Sequence, residues 1–326
     1  MEDIKTIQYI KNRLKVDDWM VGQHNDAGNG ELFRFNAGVA LLEMINRNEI
    51  DYSIPDAIYW SKRFPANRFL DVTSKNTVNN GLSQETAWNT VSQAKAGIEA
   101  LASQSGIILG IRSGTTLTQE LFLNNVNGYN ATTNSKKPFV VTTYVGADGS
   151  DELPTFDLGV RLSRNDFRSE GNGVWSYIVT VGTQLIQDEK KFSWLICATA
   201  VTLADKLTNL KALGAGYCCY DQTDGNRIYF IPFDGGESAP NNVIKLVGSA
   251  SGNGVNRHAV NIAYAVAATS GNCRIYGIKS KYTRDTAMQI VPSNISNTYS
   301  TILKNEIIGC QADFVGSSVN IETYLS

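Results

Sequence analysis

Charged residues near the end of the chain are the first place to look for chemistry. Asp285 and Glu306 are the weak candidates for a catalytic carboxyl pair. One protonated and one ionised carboxyl can hydrolyse a glycosidic bond. A base beside a cation can instead abstract a proton next to a carboxylate. The charged side chains available there are Lys279, Lys281, Arg284, Asp285, Lys304, Glu306 and Asp313.

A repeat in the same region favours a plainer role for these charges. The segments 274–279 and 301–306 can be laid over each other at an offset of 27 residues. At that offset Lys279 and Glu306 would lie on neighbouring strands, about 4.8 Å apart. A surface ion pair of this kind stabilises little. The sequence favours that ion pair over a catalytic site, and it assigns no residue to carbohydrate binding.

The sequence contains little evidence for a catalytic histidine, a metal site or a bound cofactor. The two histidines, His24 and His258, lie in different parts of the chain, and no phosphate-loop, zinc-protease or nucleophile-elbow motif is present. Oxygen ligands at Asp148, Asp151 and Glu152 would suit calcium, but a solvated acidic loop is the favoured interpretation. We therefore expect no metal and no cofactor.

The cysteines are five in number and have no Cys-x-x-Cys spacing. An odd count without that spacing argues against a disulfide framework or a zinc site. We expect free thiols buried as small apolar side chains. They are Cys197, Cys218, Cys219, Cys273 and Cys310.

Composition and charge exclude several classes of protein. Charged residues make up 18% of the 326 residues, against about 25% in an average soluble domain, and the net charge is −2. No basic block suggests nucleic-acid binding. No signal peptide or spanning segment is visible, so we expect synthesis in a cytoplasm and no membrane insertion. The polar surface must come from Asn, Ser, Thr and Gly, which favour strands and turns.

Residues 1–66 have a helical texture that the rest of the chain lacks. Apolar residues recur at helical spacing from Ile4 to Leu14, again from Phe35 to Ile45, and more weakly around Trp60. The pattern predicts an α-rich N-terminal module that ends near Pro65. It is too small to bury much core alone, so we expect it to pack on a partner or on the following domain.

Residues 67–149 present an ordered series of elements. A strand, an Asn-Gly turn, a Trp-x-Thr and a short helix from 92 to 103 are followed by a strand, a Gly turn, a Leu-x-Leu strand and a Pro-led strand. The series resembles the cap and first rungs of pectate-lyase-like right-handed parallel β-helix proteins, including phage tailspike and tail-fibre proteins. The residues that carry the resemblance are 69–72, Gly81, Trp88, Thr90, Ala94, 106–109, Gly114, 121–123 and 138–146.

The remainder divides at about residue 245. Residues 150–245 predict an inserted β subdomain, with a hairpin whose strands flank the polar loop 221–226. Residues 246–326 predict further β-helix coils, because short apolar strands alternate with Gly, Asn and Ser and the repeat lies in the solenoid range. The pattern predicts that the last coil is unfinished at Ser326, so we expect either another chain to cover this end or, as the favoured alternative, a longer protein.

Four tryptophans add one open question. Stacking on sugar rings is conceivable for each, but core packing is the commoner fate, and Trp88 and Trp175 match packing positions of the resembled family. The four are Trp60, Trp88, Trp175 and Trp194.

The resemblance implies a mainly β protein of the virion. The N-terminal module would attach to a phage tail or baseplate protein, the β-helix would bind host surface polysaccharide, and proteins of this kind are commonly homotrimers. An active polysaccharide depolymerase, either a lyase or a glycosidase, is the first alternative, and a structural tail adaptor without glycan binding is the second. Fold does not separate the three, so the sequence leaves enzymatic activity undecided.

Overall fold

The protein is mainly β, as the sequence predicts. In the computed structural model, residues 1–54 and 55–326 form two compact units. The residues that the structure describes are 19–24, 31–36, 56–101, 104, 106–126, 137–179, 184–195, 202–246, 258–264, 269–283, 286–292, 301–303, 305–313 and 321–323.

The described part of the first unit is an antiparallel hairpin of β1 (Trp19–His24) and β2 (Glu31–Asn36). Phe35 lies in β2, so its predicted helical position is wrong. The helical patterns at 4–14 and 39–45 lie outside the described residues. The two compact units divide at residue 54, whereas the sequence placed the module boundary at 66. The weak pattern around Trp60 does form a helix, α1 (Ala57–Arg63), which belongs to the second unit.

Three sheets of the second unit consist of parallel strands. Sheet 1 contains β3 (Arg68–Leu70), β4 (Ile108–Arg112), β7 (Phe139–Tyr144), β20 (Cys273–Tyr276) and β24 (Glu306–Ile308). Sheet 2 contains β5 (Thr116–Leu117), β8 (Thr155–Asp157), β21 (Lys279–Lys281) and β25 (Gln311–Asp313). Sheet 3 contains β6 (Leu121–Val126), β18 (Val260–Tyr264), β22 (Met288–Pro292) and β26 (Ile321–Thr323). A further parallel pair joins β19 (Thr269–Gly271) to β23 (Thr301–Leu303).

The chain visits these sheets in a fixed order. After β4 it passes through sheet 2 and sheet 3, returns to sheet 1, and repeats the same order to β26. One apolar core contains inward residues of all three sheets, among them Leu109, Phe156 and Ile262, each with no exposed surface. The three sheets therefore enclose a common interior.

The offset between successive strands corrects the sequence-derived repeat. Arg274 pairs with Glu306 and Lys279 pairs with Gln311, an offset of 32 residues rather than 27. The predicted stack of Lys279 on Glu306 is therefore wrong. Strands of three or four residues with similar apolar content can be overlaid at several offsets, and only the hydrogen-bonded pairing selects one.

A second helix closes one end of the core. In α2 (Val91–Glu99) the side chain of the N-cap residue Thr90 accepts a hydrogen bond from the backbone N–H of Gln93 at 3.2 Å. The apolar face of α2 packs into the core beside Trp88. The indole of Trp88 lies between two glycines, since a Cβ at Gly81 or Gly97 would approach it within 2.5 or 2.2 Å.

An inserted antiparallel unit follows β8. Its sheet 4 contains β10 (Arg168–Gly171), β11 (Val174–Ile178), β16 (Arg227–Phe230), β15 (Tyr217–Asp221) and β14 (Ser193–Trp194), the last of which is parallel to β15. Its sheet 5 contains β13 (Lys190–Lys191), β12 (Gln184–Gln187), β17 (Val243–Leu246) and β9 (Val160–Arg161). A short 3-10 turn (Arg164–Asp166) and helix α3 (Leu203–Leu213) complete the unit.

The predicted hairpin around the loop 221–226 is confirmed as β15 and β16. The strand β17 lies across the predicted boundary at residue 245, and it pairs antiparallel with β12 and β9 of the inserted unit. The antiparallel unit therefore begins after Asp157 and extends through Leu246. The amino-acid sequence of a short apolar strand does not indicate which sheet the strand will join.

We predict that Gly97→Ala destabilises the protein, although alanine is the better helix former. Helix propensity alone would favour alanine by about 1 kcal/mol. The added methyl group must displace the Trp88 ring, which costs about 1–3 kcal/mol, so unfolding in urea should occur at lower concentration. Ala96→Gly on the exposed side of the same helix is the control, with a loss of about 1 kcal/mol. A higher urea midpoint for Gly97→Ala would contradict the packing described.

Asp221 anchors the β15–β16 loop. Its buried carboxylate accepts hydrogen bonds from the backbone N–H of Thr223 at 2.8 Å and from Lys206 Nζ at 2.9 Å. Burial alone would raise the pKa of Asp221, but the bonds from Thr223 and Lys206 outweigh it and lower that pKa to about 2.

We therefore predict that Asp221→Asn lowers the free energy of unfolding at pH 7 by about 2 kcal/mol. Since the folded-state pKa lies below the ordinary value, this contribution is present above about pH 4 and disappears as the pH falls through 2. Urea unfolding from pH 7 to pH 2 should show the two proteins converging. Asp151→Asn, in an exposed loop, should change stability by less than about 0.5 kcal/mol. A difference that does not depend on pH would contradict the assignment.

Candidate functional site

The outer side of sheet 2 carries two columns of polar side chains. Successive residues of a strand point to opposite sides, and Ser280 is fully buried, so Lys279 and Lys281 point outward from β21. The first column contains Thr116, Thr155, Lys279 and Gln311, and the second contains Asp157, Lys281 and Asp313. We call these two columns the polar face.

The charges of the polar face are paired. Lys279 Nζ lies 3.6 Å from Asp313 Oδ2, and the Arg161 guanidinium donates to Asp157 Oδ2 at 2.6 Å. The hydrogen bond to Asp157 raises the pKa of Arg161. Partial burial lowers the pKa of Lys281, but neighbouring Tyr282 and Glu189 raise it overall. Arg161 and Lys281 therefore stay charged at neutral pH, and the ion pairs hold the carboxylates of Asp157 and Asp313 in position.

The inserted unit borders the polar face. Tyr282, which follows β21, is buried against Ile186 and Leu246 of sheet 5. Gly159 allows this approach, because a Cβ there would come within 2.9 Å of Tyr282 Cβ and 2.5 Å of Ile244 Cγ2. Sheet 5 is therefore fixed beside sheet 2 by close packing.

The tip of the β12–β13 hairpin reaches the polar face. Glu189 Oε1 lies 3.6 Å from Lys281 Nζ. Asp188 and Glu189 have φ values of +48° and +62°, which two-residue hairpin turns require and which Asn-Gly normally supplies. A non-glycine residue there costs of order 1–2 kcal/mol. The strained residue Glu189 is thus also the one that places a carboxylate near Lys281.

The arrangement suits binding better than proton transfer. Asp157 and Asp313 lie on the strands on either side of β21, so their backbones are about 9–10 Å apart. That spacing approaches the separation of about 6.5–9.5 Å between the carboxyls of an inverting glycosidase. Both carboxylates are engaged by cations, however, so the face offers fixed charges and hydrogen-bonding groups. Among the described residues, only Oδ1 of Asp157 on this face is buried without a hydrogen-bond partner.

The sequence-derived carboxyl pair lies elsewhere or is not described. Glu306 is on sheet 1, where its carboxylate accepts a hydrogen bond from the Tyr276 hydroxyl and lies 3.6 Å from Arg274. Burial, followed by the bond to Glu306, raises the pKa of Tyr276. Tyr276 stacks on Phe64 at 4.3 Å and on Trp60 at 5.2 Å, so this group holds α1 against sheet 1. Asp285 lies outside the described residues, and the pair stays a prediction.

The acidic loop is tied to sheet 1. Asp148 Oδ2 accepts a hydrogen bond from Arg112 at 3.1 Å, and Arg112 also donates to buried Asp71 at 2.9 Å. The bond to Asp71 is the main cause that raises the pKa of Arg112. Within the described parts of the chain, no cluster of three or more acidic, histidine or cysteine side chains could hold a metal ion. The described cysteines are free thiols: Cys218, Cys219 and Cys273 are buried, and Cys310 is partly buried.

Sequence reasoning missed a second charged group, on sheet 4. Glu170 binds the Arg168 guanidinium at 2.8 Å and accepts from the Ser176 hydroxyl at 2.6 Å. Arg227 lies 3.5 Å from Asp224, which also accepts from the Tyr229 hydroxyl. The alternation of Arg168 and Glu170 along one strand was the available signal. The remaining members come from a neighbouring strand (Ser176) and from the β15–β16 loop (Asp224), so the sequence could not assemble the group.

The four tryptophans differ in their exposure to solvent. Trp60 and Trp88 are buried, and the half-buried Trp175 donates from its indole N–H to the Gly236 carbonyl at 2.9 Å. Trp194 is 40% exposed. Among these four, Trp194 alone offers an aromatic face to a ligand.

Comparisons with known proteins add a single likeness. No family model matches the chain, and the search of curated proteins gave no match. A solved structure titled "Glycoside hydrolase" aligns with 12% sequence identity and a TM-score of 0.38, over 67% of this chain and 51% of that chain. The alignment thus spans about half the length of that protein. A TM-score this low does not establish a shared fold or function. No helix in the described residues has the length and apolarity to cross a bilayer.

We predict that Glu189→Gly raises the free energy of unfolding by about 0.5–1 kcal/mol. Glycine removes the cost of a left-handed φ, and the lost ion pair to Lys281 stabilises little because Glu189 is exposed. Glu189→Gln is the matched control, since it removes the charge and keeps the backbone cost. Urea unfolding should leave that control within about 0.5 kcal/mol of the parent. If Glu189→Gly is the less stable of the two, the hairpin tip is held by more than its backbone.

Proposed function

We propose that the three parallel sheets form a right-handed parallel β-helix and that the protein is a phage tailspike or tail-fibre component. The support is the fixed order in which the chain revisits the sheets around one shared core. Crossovers between parallel strands of one sheet are right-handed in nearly all proteins, which gives the hand. Residues 1–54, as a separate compact unit, would attach to a tail or baseplate protein. The proposal places the protein in the virion, as a homotrimer.

We propose that the polar face binds host surface polysaccharide. The observation that carries this is the pair of outward columns, which repeat charged and amide groups at the strand spacing of about 4.8 Å. A polysaccharide presents hydroxyl and carboxylate groups at a comparable repeat. The charges lie in place before binding, because each cation is held by a neighbouring carboxylate, and fewer side chains must be ordered when the ligand binds.

Adsorption of the full-length chain to purified capsule or lipopolysaccharide from a panel of bacteria tests this function. We expect the double variant Lys279→Gln, Lys281→Gln to bind at least about tenfold more weakly, because charge-assisted hydrogen bonds contribute about 1.5–3 kcal/mol. The double variant Lys75→Gln, Lys211→Gln, at two exposed positions outside the polar face, is the charge-matched control and should bind like the parent. Absence of binding across the panel would reject the function. Full binding by the double variant would reject the polar face as the site.

Depolymerase activity is the second candidate, and the positions of Asp157 and Asp313 on either side of Lys281 favour it. The same incubations can be assayed for new reducing ends or for the absorbance of unsaturated uronates. An inverting pair would lose all product formation in both Asp157→Asn and Asp313→Asn. Binding without any product would leave an attachment protein, and neither binding nor product would leave the structural tail adaptor.

A further inference from the structure

Three ion pairs cross the polar face, and their charges cancel. The pairs are Lys279 with Asp313, Lys281 with Glu189, and Arg161 with Asp157. Three positive charges thus face three negative charges. An acidic polymer therefore gains no net long-range attraction from these six side chains.

Lys281 is surrounded by carboxylates. In the second column of the polar face it lies between Asp157 and Asp313, each on a neighbouring strand about 4.8 Å away. Glu189 adds a third carboxylate from the hairpin tip. A carboxylate of a ligand that approached Lys281 would therefore meet three negative charges around one positive charge.

Two of the ion pairs have a geometry that suits a hydroxyl group. In the pairs that contain Lys279 and Lys281, the separation of 3.6 Å exceeds the roughly 2.7–2.9 Å of a direct hydrogen bond between ammonium and carboxylate. A hydroxyl both donates and accepts hydrogen bonds, whereas a carboxylate only accepts. One sugar hydroxyl can therefore donate to the carboxylate and accept from the ammonium of the same pair. A ligand carboxylate would instead have to displace Asp313 or Glu189.

Glu189 is the outermost of the three carboxylates. Its side chain is 65% exposed, against 14% for Asp157 and 32% for Asp313. Its φ of +62° is one that glycine adopts more readily, but glycine would bring no carboxylate to Lys281. Strained residues of this kind cluster at functional sites. Position and strain together indicate that the charge of Glu189 affects what the face binds.

We propose that the polar face selects neutral polysaccharide and that Glu189 is the residue that excludes acidic polysaccharide. The proposal rests on the proposed glycan-binding function and names the class of glycan. Glu189 neutralises Lys281 and repels a carboxylate brought near it, while a sugar hydroxyl bridges the two side chains. A lyase needs a carboxylate beside the proton that it removes, so a neutral glycan leaves hydrolysis as the reaction of the depolymerase alternative.

Matched neutral and acidic forms of one polymer test the selection. The probes are the neutral members of the bacterial polysaccharide panel, each before and after oxidation of its primary hydroxyls to carboxylates. We expect the full-length parent to adsorb to the neutral form at least about tenfold more tightly than to the oxidised form. Glu189→Gln should reduce this ratio about five- to tenfold, because it removes one negative charge close to the incoming carboxylate.

Asp188→Asn is the matched control at the same hairpin tip. It also removes one negative charge, and asparagine tolerates the positive φ of this position. The carboxylate of Asp188 accepts a hydrogen bond from Asn242 Nδ2 at 2.9 Å, which the amide oxygen of asparagine can also accept. The ratio of affinities should change by less than about twofold in this variant.

The outcomes separate this selection from the proposed function. Equal adsorption of the parent to both forms, or a preference for the oxidised form, would overturn the selection. An unchanged ratio in Glu189→Gln, or an equal change in Asp188→Asn, would overturn the role of Glu189. Adsorption to acidic polysaccharides alone would keep the proposed function and reject only the selection. Absence of adsorption to every polysaccharide, neutral or acidic, would reject both.

Discussion

Parallel in-register pairing of short strands is the constraint on which the second unit depends. Strands as short as Lys279–Lys281 form no stable structure alone. They are held because each pairs with a strand before and after it in the stack, as β21 does with β8 and β25. The same stacking brings apolar side chains of three sheets into one core. Backbone pairing and core burial are therefore gained together or not at all.

This pairing also separates structural side chains from those available to ligands. On β21 the central Ser280 faces the core, while Lys279 and Lys281 face outward. Because the strands are in register, outward residues of neighbouring strands form columns, and charges distant in sequence become neighbours. Asp157 and Lys281 adjoin in this way across the whole inserted unit.

Glycines set how closely the remaining parts approach the parallel sheets. Gly277 and Gly309 lie beneath the indole of Trp60, where a Cβ would come within 2.3 and 2.2 Å, and so α1 packs directly on sheet 1. With α1 on one side and the core on the other, all six residues of β7 are buried. At the other border, Gly159 lets sheet 5 reach Tyr282. The inserted unit then carries the hairpin tip at Lys281.

The amino-acid sequence by itself determined the local elements and their order. Short apolar runs and turn glycines predicted most strands of residues 67–149 and the α2 helix, and the polar loop 221–226 predicted the β15–β16 hairpin, since these depend on neighbours along the chain. Only tertiary structure decided the 32-residue offset, the place of β17 in sheet 5 and the columns of the polar face. Each depends on which distant strand supplies the hydrogen bonds, and three-residue apolar strands do not encode that choice locally.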